Sequence, residues 1–266
     1  MPETSVSGGP YYLDPELYDA VYADVVADIA PHVELVRGAG GLALEVCCGN
    51  GRLLIPTLEA GLACDGLDYD GNMLADLVEK LTARHLESHV LYGDMRDFEL
   101  QSRYALIVVG FNSFLHNLTQ EHQLATLRCC KRHLAPGGRL VITAFHPSAE
   151  KLLQWSGKEM FLKELPHEDG RLRVYDRADD NRIEQIRRMT RRIEFLDAAD
   201  VVVRQATVSF SLRYIYKPEM ELLLRVAGFA RWQARPAFAD YTDPASLADQ
   251  RPLREGDNIA WTAWSE

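Results

Sequence analysis

The sequence predicts an α/β fold with a mostly parallel sheet, and three observations lead to that prediction. Apolar stretches of strand length alternate with helical patterns through the first half of the chain. The first stretch, Leu42 to Val46, leads into a loop with Gly49 and Gly51, and a helical pattern follows. The second stretch ends in Asp68. Such alternation is typical of parallel sheets covered by helices on both faces.

The remaining elements follow in chain order. Asp14-Pro15-Glu16 marks a helix start, because a short acid can cap a helix and proline suits its first turn. Further strands are predicted at Leu62 to Leu67, His89 to Tyr92, Tyr104 to Gly110, Arg139 to Phe145, Phe229 to Arg235 and Ala260 to Trp264. Helices are predicted at Arg52 to Ala60, Asn72 to Leu86, Gln120 to Leu134 and Pro218 to Ala227. Together they predict a Rossmann-like, doubly wound sheet of seven strands.

Residues 146–214 break this pattern and predict an antiparallel β insertion after the fifth strand. Alternating patterns occur in three stretches, Leu172 to Tyr175, Ile183 to Leu196 and Val201 to Tyr214. Asp197-Ala198-Ala199-Asp200 supplies the turn between the two long ones. We interpret residues 1–266 as one domain, with the insertion acting as a lid or as an oligomer arm, and in the second case the protein forms a homo-oligomer.

Composition limits the classes of partner. The chain has 266 residues, is 47% hydrophobic and carries a formal charge of −10, which opposes binding to nucleic-acid phosphates and anionic membranes. A small-molecule substrate fits better. No apolar run approaches the ~20 residues of a membrane span, and the start lacks a secretion signal, so we expect a cytoplasmic protein. The five cysteines lack C-x-x-C spacing, which predicts reduced thiols and no metal site.

The loop around Gly49 and Gly51 is typical of nucleotide binding. Its glycines allow a tight turn and close approach of a ligand, and the next helix directs N–H groups towards it. An acid at the end of the next strand, Asp68, suits ribose hydroxyls. Leu54 stands where a dinucleotide fingerprint has its third glycine, which disfavours nicotinamide binding. An oxidoreductase with a modified loop remains an alternative.

Five segments, in this order and spacing, resemble the class I S-adenosylmethionine (SAM)-dependent methyltransferases. The acid-x-x-x-Gly-x-Gly loop of that family is matched by Glu45, Gly49 and Gly51. The other four segments are Asp68-Tyr69-Asp70-Gly71-Asn72-Met73-Leu74, Gly93-Asp94-Met95-Arg96, Phe111-Asn112-Ser113-Phe114 and Ala135-Pro136-Gly137-Gly138-Arg139-Leu140. The resemblance extends from Tyr11 to Phe145, and a weaker resemblance is found in Leu222 to Phe229. Within the family, the insertion and N-terminal helix resemble those of natural-product and deoxysugar N-methyltransferases.

The resemblance implies SAM as cofactor and assigns roles to residues. Asp68 would hold the ribose, Met73 would pack on the adenine and Asp94 would contact the adenine edge. Gly51 would need to be small because the cofactor passes close to its backbone. Arg52 either pairs with the methionine carboxylate or is a surface arginine. The residues predicted to bind the cofactor are Tyr22, Glu45, Gly49, Gly51, Arg52, Asp68, Tyr69, Met73, Asp94, Met95 and Phe111. Tyr22 would close over the cofactor or belong to a core-facing stripe.

A methyl carried by a sulfonium is already electrophilic, so catalysis consists mainly of positioning the acceptor and excluding water. The implied reaction transfers methyl from SAM to oxygen or nitrogen of a small-molecule acceptor. His116, after the fourth strand, and His146, after the fifth, are the candidate general bases. A histidine that only shapes the pocket is the alternative for each, and Asn112 either orients substrate or closes a turn. A non-catalytic SAM-binding scaffold also remains open.

The insertion carries a basic cluster of Arg182, Arg187, Arg188, Arg191 and Arg192. Such a cluster suits a phosphate or carboxylate ligand. Four nearby acids, Glu184, Glu194, Asp197 and Asp200, are also available as cross-strand partners. A solvated hairpin face is therefore the favoured interpretation.

Overall fold

A computed structural model describes residues 14–167, 170–237 and 252–265. Its described residues divide into two compact units. The core unit contains residues 25–147, 215–237 and 252–265, and the insertion unit contains residues 14–24, 148–167 and 170–214. Whether the insertion serves as a lid or an oligomer arm stays a prediction.

The elements are numbered in chain order. The strands are β1 Ala43–Val46, β2 Cys64–Asp68, β3 Val90–Tyr92, β4 Tyr104–Val109, β5 Leu134–Phe145, β6 Glu159–His167, β7 Gly170–Asn181, β8 Ile186–Leu196, β9 Val202–Arg213, β10 Arg231–Pro236 and β11 Asn258–Trp264. The helices are α1 Pro15–Tyr22, α2 Ile29–Arg37, α3 Leu54–Glu59, α4 Gly71–Ala83, α5 Gln120–His133, α6 Ala149–Trp155 and α7 Lys217–Val226, with a 3₁₀ helix, η1, at Ser113–His116. No helix in the described ranges is long and apolar enough to cross a membrane.

The core unit is built on a seven-stranded sheet in the order β10-β11-β5-β4-β1-β2-β3. Strands β1 to β5 are parallel, and β11 is antiparallel to both of its neighbours. The predicted seven-stranded, mostly parallel, Rossmann-like sheet is therefore confirmed. The chain order reverses direction between β1 and β4, and ligands of such sheets bind at the carboxyl ends of the strands beside this point.

The insertion unit is a four-stranded antiparallel sheet in the order β6-β7-β8-β9, which confirms the predicted antiparallel insertion. Leu17 and Val21 of α1 pack against buried residues of β7 and β8, including Leu172 and Ile193. Helix α1 begins as predicted, because the Asp14 carboxylate accepts a hydrogen bond of 3.0 Å from the Leu17 N–H.

Several element boundaries differ from the prediction, and two α-helices, one strand and the 3₁₀ helix η1 were not predicted. The strand expected from Ile183 begins at Ile186, because residues 182–185 form a turn in which Ile183 is 91% exposed. The expected helix from Arg52 begins at Leu54. Strand β5 begins at Leu134, before its predicted start at Arg139, because Leu134 still pairs with Tyr104 while residues 135–138 bulge out. The elements α2, α6 and β6 correspond to no predicted element.

Gly51 lies in the turn before α3 and packs against the core. Its φ is +92°, and a Cβ atom there would lie 2.5 Å from Leu77 Cδ1 and 2.9 Å from Ile55 Cγ1. The atoms that exclude a side chain at Gly51 therefore belong to the protein. Packing supplies a reason for the glycine that the sequence analysis, which invoked the cofactor, did not anticipate.

Gly51→Ala should consequently lower stability sharply. Overpacking costs about 1–3 kcal/mol, and a left-handed backbone adds about 1–2 kcal/mol for a residue with a Cβ. The free energy of unfolding in urea measures the loss. Gly40→Ala is the matched control, since Gly40 has a φ of +68° but no atom within 4 Å of the position that its Cβ would take. Equal losses in the two variants would contradict the packing explanation.

Candidate functional site

The carboxyl ends of β1, β2, β3 and β4 carry most of the predicted site residues. Glu45 lies within β1, Asp68 ends β2, and Asp94 and Met95 follow β3. Phe111 follows β4. Because these strands are adjacent and parallel, the sheet brings segments from distant parts of the sequence to one edge.

The loop after β1 alternates through the left-handed backbone region. Cys47, Gly49 and Gly51 have φ angles of +63°, +55° and +92°. Cys47 adopts this conformation although it has a Cβ, which is uncommon outside glycine. No atom lies within 4 Å of the position that a Cβ would take at Gly49. The Gly49 side of the loop is thus open to a ligand, whereas Gly51 is closed by core side chains.

Asp68 joins this loop to the end of β2. Its carboxylate accepts hydrogen bonds from the N–H of Gly49, at 2.8 Å, and from the N–H of Asp70, at 2.9 Å. The residue is 1% exposed, and burial raises the pKa of its carboxyl. The Tyr69 backbone also donates to this carboxylate, and since a carboxylate has about four acceptor positions, one remains for a hydroxyl group of a ligand.

The rest of the second motif begins helix α4. The Asp70 carboxylate caps α4 by accepting from the N–H groups of Asn72 and Met73, at 2.9 and 3.1 Å. Met73 is 1% exposed and packs within the protein, and Tyr69 is partly exposed beside Asp68. Their contacts with an adenosine stay predictions.

The third motif is held by a residue that the sequence analysis missed. Hydrogen bonds from Arg96 lower the pKa of Asp94, and the Arg96 Nε atom lies 2.8 and 3.0 Å from the two carboxylate oxygens. Met95 Sδ lies 3.9 Å from Cys47 Sγ and accepts from Asn117 Nδ2 at 3.3 Å. Asn117, which is 1% exposed, therefore links η1 to the loop after β3.

Glu45 and His32 form a buried pair inside the core unit. Their Oε2 and Nε2 atoms lie 4.0 Å apart, and neither atom has a hydrogen-bond partner among the described residues. Burial raises the pKa of Glu45 to about 8 and lowers that of His32 to about 4. Both side chains are therefore mostly uncharged at neutral pH.

Arg52 is held by an acid at the N-terminus of α2. Its guanidinium donates to both Asp28 carboxylate oxygens at 2.7 Å and to the Val25 carbonyl at 3.0 Å. It also lies over the Phe111 ring, 4.4 Å from the centroid. Arg52 is thus neither a free surface arginine nor dedicated to a ligand, and a methionine carboxylate would share it with Asp28.

The end of β4 is tied to β5 through Asn112. Phe111 and Asn112 have φ angles of +49° and +65°, and the Asn112 side-chain oxygen accepts from the Phe145 N–H at 2.7 Å. This contact supports the turn-closing interpretation of Asn112. The next residues form η1, whose last residue is the partly exposed His116.

His146 directly follows β5. Its N–H donates to the Asp257 carbonyl at 2.8 Å, and its ring stands edge-on to Tyr216 with centroids 5.5 Å apart. Burial lowers the pKa of the ring, so the neutral form predominates at neutral pH. The Nδ1 atom is buried without a hydrogen-bond partner among the residues that the structure covers.

The remaining predicted residue, Tyr22, belongs to the insertion unit. Its hydroxyl accepts from Arg191 at 2.7 Å, and its ring lies 4.7 Å from that of Tyr18. Arg191 also binds the Asp176 carboxylate at 2.8 and 2.7 Å. A contact between Tyr22 and the cofactor stays a prediction.

Three arginines of the insertion's basic cluster, Arg187, Arg191 and Arg192, form ion pairs with acids of the same sheet. Arg187 binds Asp180, and Arg192 binds Glu159. The pairs Asp176–Arg191 and Asp180–Arg187 are direct cross-strand neighbours in the register of β7 and β8. Of the acids named from the sequence, Glu194 pairs with Arg192. The predicted ion pairing is present, but two of the pairs are largely buried and not solvated: the side chains of Arg187 and Asp180 are 12% and 0% exposed, and those of Arg191 and Asp176 are 8% and 6% exposed.

Neither cysteine nor metal chemistry is indicated in the described chain. All five cysteines are free. No group of three or more His, Cys, Asp or Glu side chains in the described ranges is placed to hold a metal ion. Metal-independent binding of the cofactor stays a prediction.

Sequence reasoning missed Asp28, His32, Arg96 and Asn117. Asp28 and His32 lie on a helix start and a helix that were not predicted, so no pattern placed them near β1. Arg96 was noted only as part of a motif. The sequence did contain a signal for the left-handed backbone at Cys47. This residue stands two positions before Gly49 and continues the two-residue spacing of Gly49 and Gly51.

Comparison with known proteins agrees with this geometry. Residues 43–138 match the family described as a methyltransferase domain. The chain is 29% identical over 146 residues to the cypemycin N-terminal methyltransferase of a Streptomyces species, covering 51% of this chain and 59% of the relative. It is 31% identical over 135 residues to dTDP-3-amino-3,6-dideoxy-alpha-D-glucopyranose N,N-dimethyltransferase of Streptomyces fradiae. This match covers 48% of this chain and 51% of the relative. The chain thus spans between half and three-fifths of these relatives' lengths.

The fold has a solved counterpart. SAM-bound CalS10 of Micromonospora echinaspora, an amino pentose methyltransferase involved in calicheamicin biosynthesis, superposes with a TM-score of 0.72 at 20% identity, covering 96% of this chain and 98% of that one. This likeness concerns the fold alone. Residues 43–138 are therefore similar to a methyltransferase domain, and the whole chain shares its fold with a solved SAM-bound methyltransferase.

Proposed function

We propose that this protein transfers a methyl group from SAM to a nitrogen atom of a small-molecule amine. The observation that carries the proposal is the Asp68 carboxylate, bound to the Gly49 N–H beside the open face of the glycine loop. Oxygen acceptors belong to the same reaction class. One relative reported above is named as an N-terminal methyltransferase and the other as an N,N-dimethyltransferase of an amino sugar, which favours nitrogen.

The residues at the sheet edge fit the cofactor. The open side of Gly49 leaves room for a ligand to approach the backbone, and Asp68 retains an acceptor position for a ribose hydroxyl. Residues 93–95 and Met73 would surround the adenine, and Arg52 with Phe111 would face the methionine part. When bound, SAM supplies an electrophilic methyl group.

The chain's own part in the reaction is to position the amine and accept its proton. An amine attacks only in its neutral form, so a nearby neutral histidine assists by accepting the proton that the nitrogen loses. We assign this role to His116, because η1 follows β4 beside the point where strand order reverses. His146, one strand further away, would line the acceptor pocket together with Tyr216.

We propose that the enzyme acts in the cytoplasm on a small molecule, without nucleic acid or membrane. The net charge of −10 supports this, since it repels polyanions. An amino sugar carried on a nucleotide and a peptide N-terminus are the two acceptor chemistries that the relatives' names point to.

Titration calorimetry separates the rival functions. Binding of SAM and S-adenosylhomocysteine, with none of NAD or NADP, is expected, and the reverse result would indicate an oxidoreductase. Release of S-adenosylhomocysteine with dTDP-amino sugars or peptides with a free N-terminus, but not with dTDP-glucose, is expected of an amine methyltransferase. Cofactor binding with no turnover across a broad acceptor panel would favour the scaffold alternative.

Asp68→Ala should weaken S-adenosylhomocysteine binding about ten- to a hundredfold, because a charged hydrogen bond contributes ~1.5–3 kcal/mol. Calorimetry measures the affinity. Asp65→Ala is the matched control: Asp65 is also buried on β2 but accepts from the Tyr104 hydroxyl at 3.1 Å. Asp68→Asn, which preserves volume, covers the case in which the alanine variant does not fold. Normal affinity in a folded Asp68 variant would reject the ribose assignment.

His116→Asn should retain S-adenosylhomocysteine affinity yet lower turnover of an amine acceptor about 10²–10⁴-fold, as expected for loss of a general base. The pH profile of turnover should lose its lower limb as well. His85→Asn serves as control, because His85 is exposed and has a φ of +55°, which asparagine tolerates. If His116→Asn keeps parental turnover and pH profile, the residue only shapes the pocket.

Glu45→Gln should reduce the dependence of stability on pH. Because the folded pKa of about 8 exceeds the ordinary glutamate pKa of 4.5, the folded protein holds the proton more tightly, and stability falls as pH rises from 4.5 to 8. His32, with a pKa of about 4, has the opposite slope, but only below its unfolded pKa of 6.5.

Urea midpoints at about pH 6.5 and 8.5 therefore isolate the contribution of Glu45. The parent midpoint is expected to fall between these values, and that of Glu45→Gln to fall less. An equal fall in both proteins would show that Glu45 is already ionised at the lower pH in the folded state.

A further inference from the structure

Two buried polar atoms of the core unit face each other without a hydrogen bond. Glu45 and His32 are each 4% exposed, and the Glu45 Oε2 and His32 Nε2 atoms lie 4.0 Å apart. Neither atom has a hydrogen-bond partner among the described residues. A buried polar group that stays unpaired costs free energy, so this pair indicates a function that requires both groups to be available.

The pair adjoins residues that are proposed to face the methionine part of the cofactor. Glu45 lies on β1 just before the glycine loop, and His32 lies on α2, where its backbone N–H donates to the Asp28 carbonyl at 3.0 Å. The Asp28 carboxylate in turn binds Arg52. The charges of Asp28 and Arg52 act on the pKa values of both Glu45 and His32, so we call these four side chains the charge cluster.

The charge cluster is electrically balanced at neutral pH. Arg52 and Asp28 form an ion pair, and burial raises the pKa of Glu45 and lowers that of His32, so that both are mostly uncharged. Further ionisable groups that act on Glu45 are the Asp68 carboxyl and the thiols of Cys47, Cys48 and Cys64. Burial raises the pKa of each thiol far above neutrality, so the thiols add no charge.

The charge cluster would receive two opposite charges from the methionine part of a bound cofactor, which carries a carboxylate and an ammonium group on one carbon atom. Arg52 is assigned to that carboxylate, so the ammonium group needs an acceptor nearby. Asp28 is already engaged by two hydrogen bonds of 2.7 Å from Arg52. Glu45 therefore remains as the acceptor, and its ionised form binds an ammonium group more strongly than its neutral form does.

The cost of buried charge decides where the Glu45 proton goes. If it leaves for solvent, the carboxylates of Asp28, Glu45 and the cofactor face only Arg52 and the ammonium group. One negative charge is then buried in excess, which is unfavourable. If His32 accepts the proton, positive and negative charges are equal in number. The gap of 4.0 Å closes to hydrogen-bonding distance with a movement of about 1 Å.

We propose that His32 is a positioning residue that takes the Glu45 proton when the cofactor binds. The O–H bond of Glu45 breaks, an N–H bond forms at His32 Nε2, and the proton stays inside the protein. His32 then donates a charged hydrogen bond to Glu45, which turns its carboxylate charge to the ammonium group. This inference rests on the proposed function, because it concerns how the same SAM site holds its cofactor.

Calorimetry of S-adenosylhomocysteine binding, in buffers of different ionisation enthalpy, counts the protons exchanged with solvent. The parent should exchange about none near pH 7, because its proton only moves between two side chains. His32→Gln lacks the acceptor, so binding should release about one proton. The affinity of this variant should consequently rise up to about tenfold from pH 6 to pH 7, whereas the parental affinity should stay nearly constant.

Two further variants serve as controls. His32→Gln/Glu45→Gln removes the proton as well as its acceptor, so its binding should again exchange about no protons. His89→Gln is the matched control, because it removes a histidine whose Nδ1 atom lies 3.3 Å from the Asp65 carboxylate at an 84% exposed side chain. Its affinity and proton count should equal those of the parent.

Nitrogen-15 NMR of the parent with labelled histidines covers the case in which His32→Gln does not fold. The chain has 8 histidines, and one of them should become doubly protonated when S-adenosylhomocysteine is added. The same change should persist in His116→Asn, which separates His32 from the proposed general base.

Two results would overturn the inference while leaving the proposed function intact. Release of a proton by the parent would show that the Glu45 proton goes to solvent. A His32→Gln protein that binds without proton exchange would show that Glu45 keeps its proton and that His32 only packs beside it. A folded parent that binds no S-adenosylhomocysteine would instead reject the proposed function itself.

Discussion

The hydrogen bond between the Gly49 N–H and the Asp68 carboxylate is the contact on which the site depends. It joins the loop after β1 to the end of β2, at 2.8 Å. Asp68 is 1% exposed, and the Asp70 N–H donates a second hydrogen bond to the same carboxyl group. The same carboxylate is the proposed ribose ligand, and in that proposal one group both shapes the loop and binds the cofactor.

Charge inside the core unit is managed by two different means. Arg52 and Asp28 form an ion pair with two hydrogen bonds of 2.7 Å. Glu45 and His32 instead lose their charges, since burial moves their pKa values in opposite directions. A buried ion needs a well-oriented partner, and a group without one becomes neutral. Glu45, just before the glycine loop, thus belongs to an uncharged pair, and Arg52, just after it, belongs to an ion pair.

In the insertion, the register of strand pairing decides which acids form ion pairs with the basic cluster. The sequence offered several acids near the basic cluster, and proximity along the chain favoured Glu184, Asp197 and Asp200. Pairing of β7 with β8 placed Asp176 and Asp180 opposite Arg191 and Arg187 instead. Because side chains in a sheet meet their cross-strand neighbours, the register decides the ion pairs.

The sequence alone determined the alternation of strands and helices, the glycine loop and the acid at Asp68, because these depend on local periodicity and backbone freedom. It also predicted the cap at Asp14 and the insertion. The tertiary structure decided which distant segments of the chain contact one another. Only folding brings Asp28 to Arg52 and Asn117 to Met95. Only folding packs Leu77 so close to Gly51 that a Cβ atom there would clash with it. Those contacts join residues far apart in the chain, and no local pattern records them.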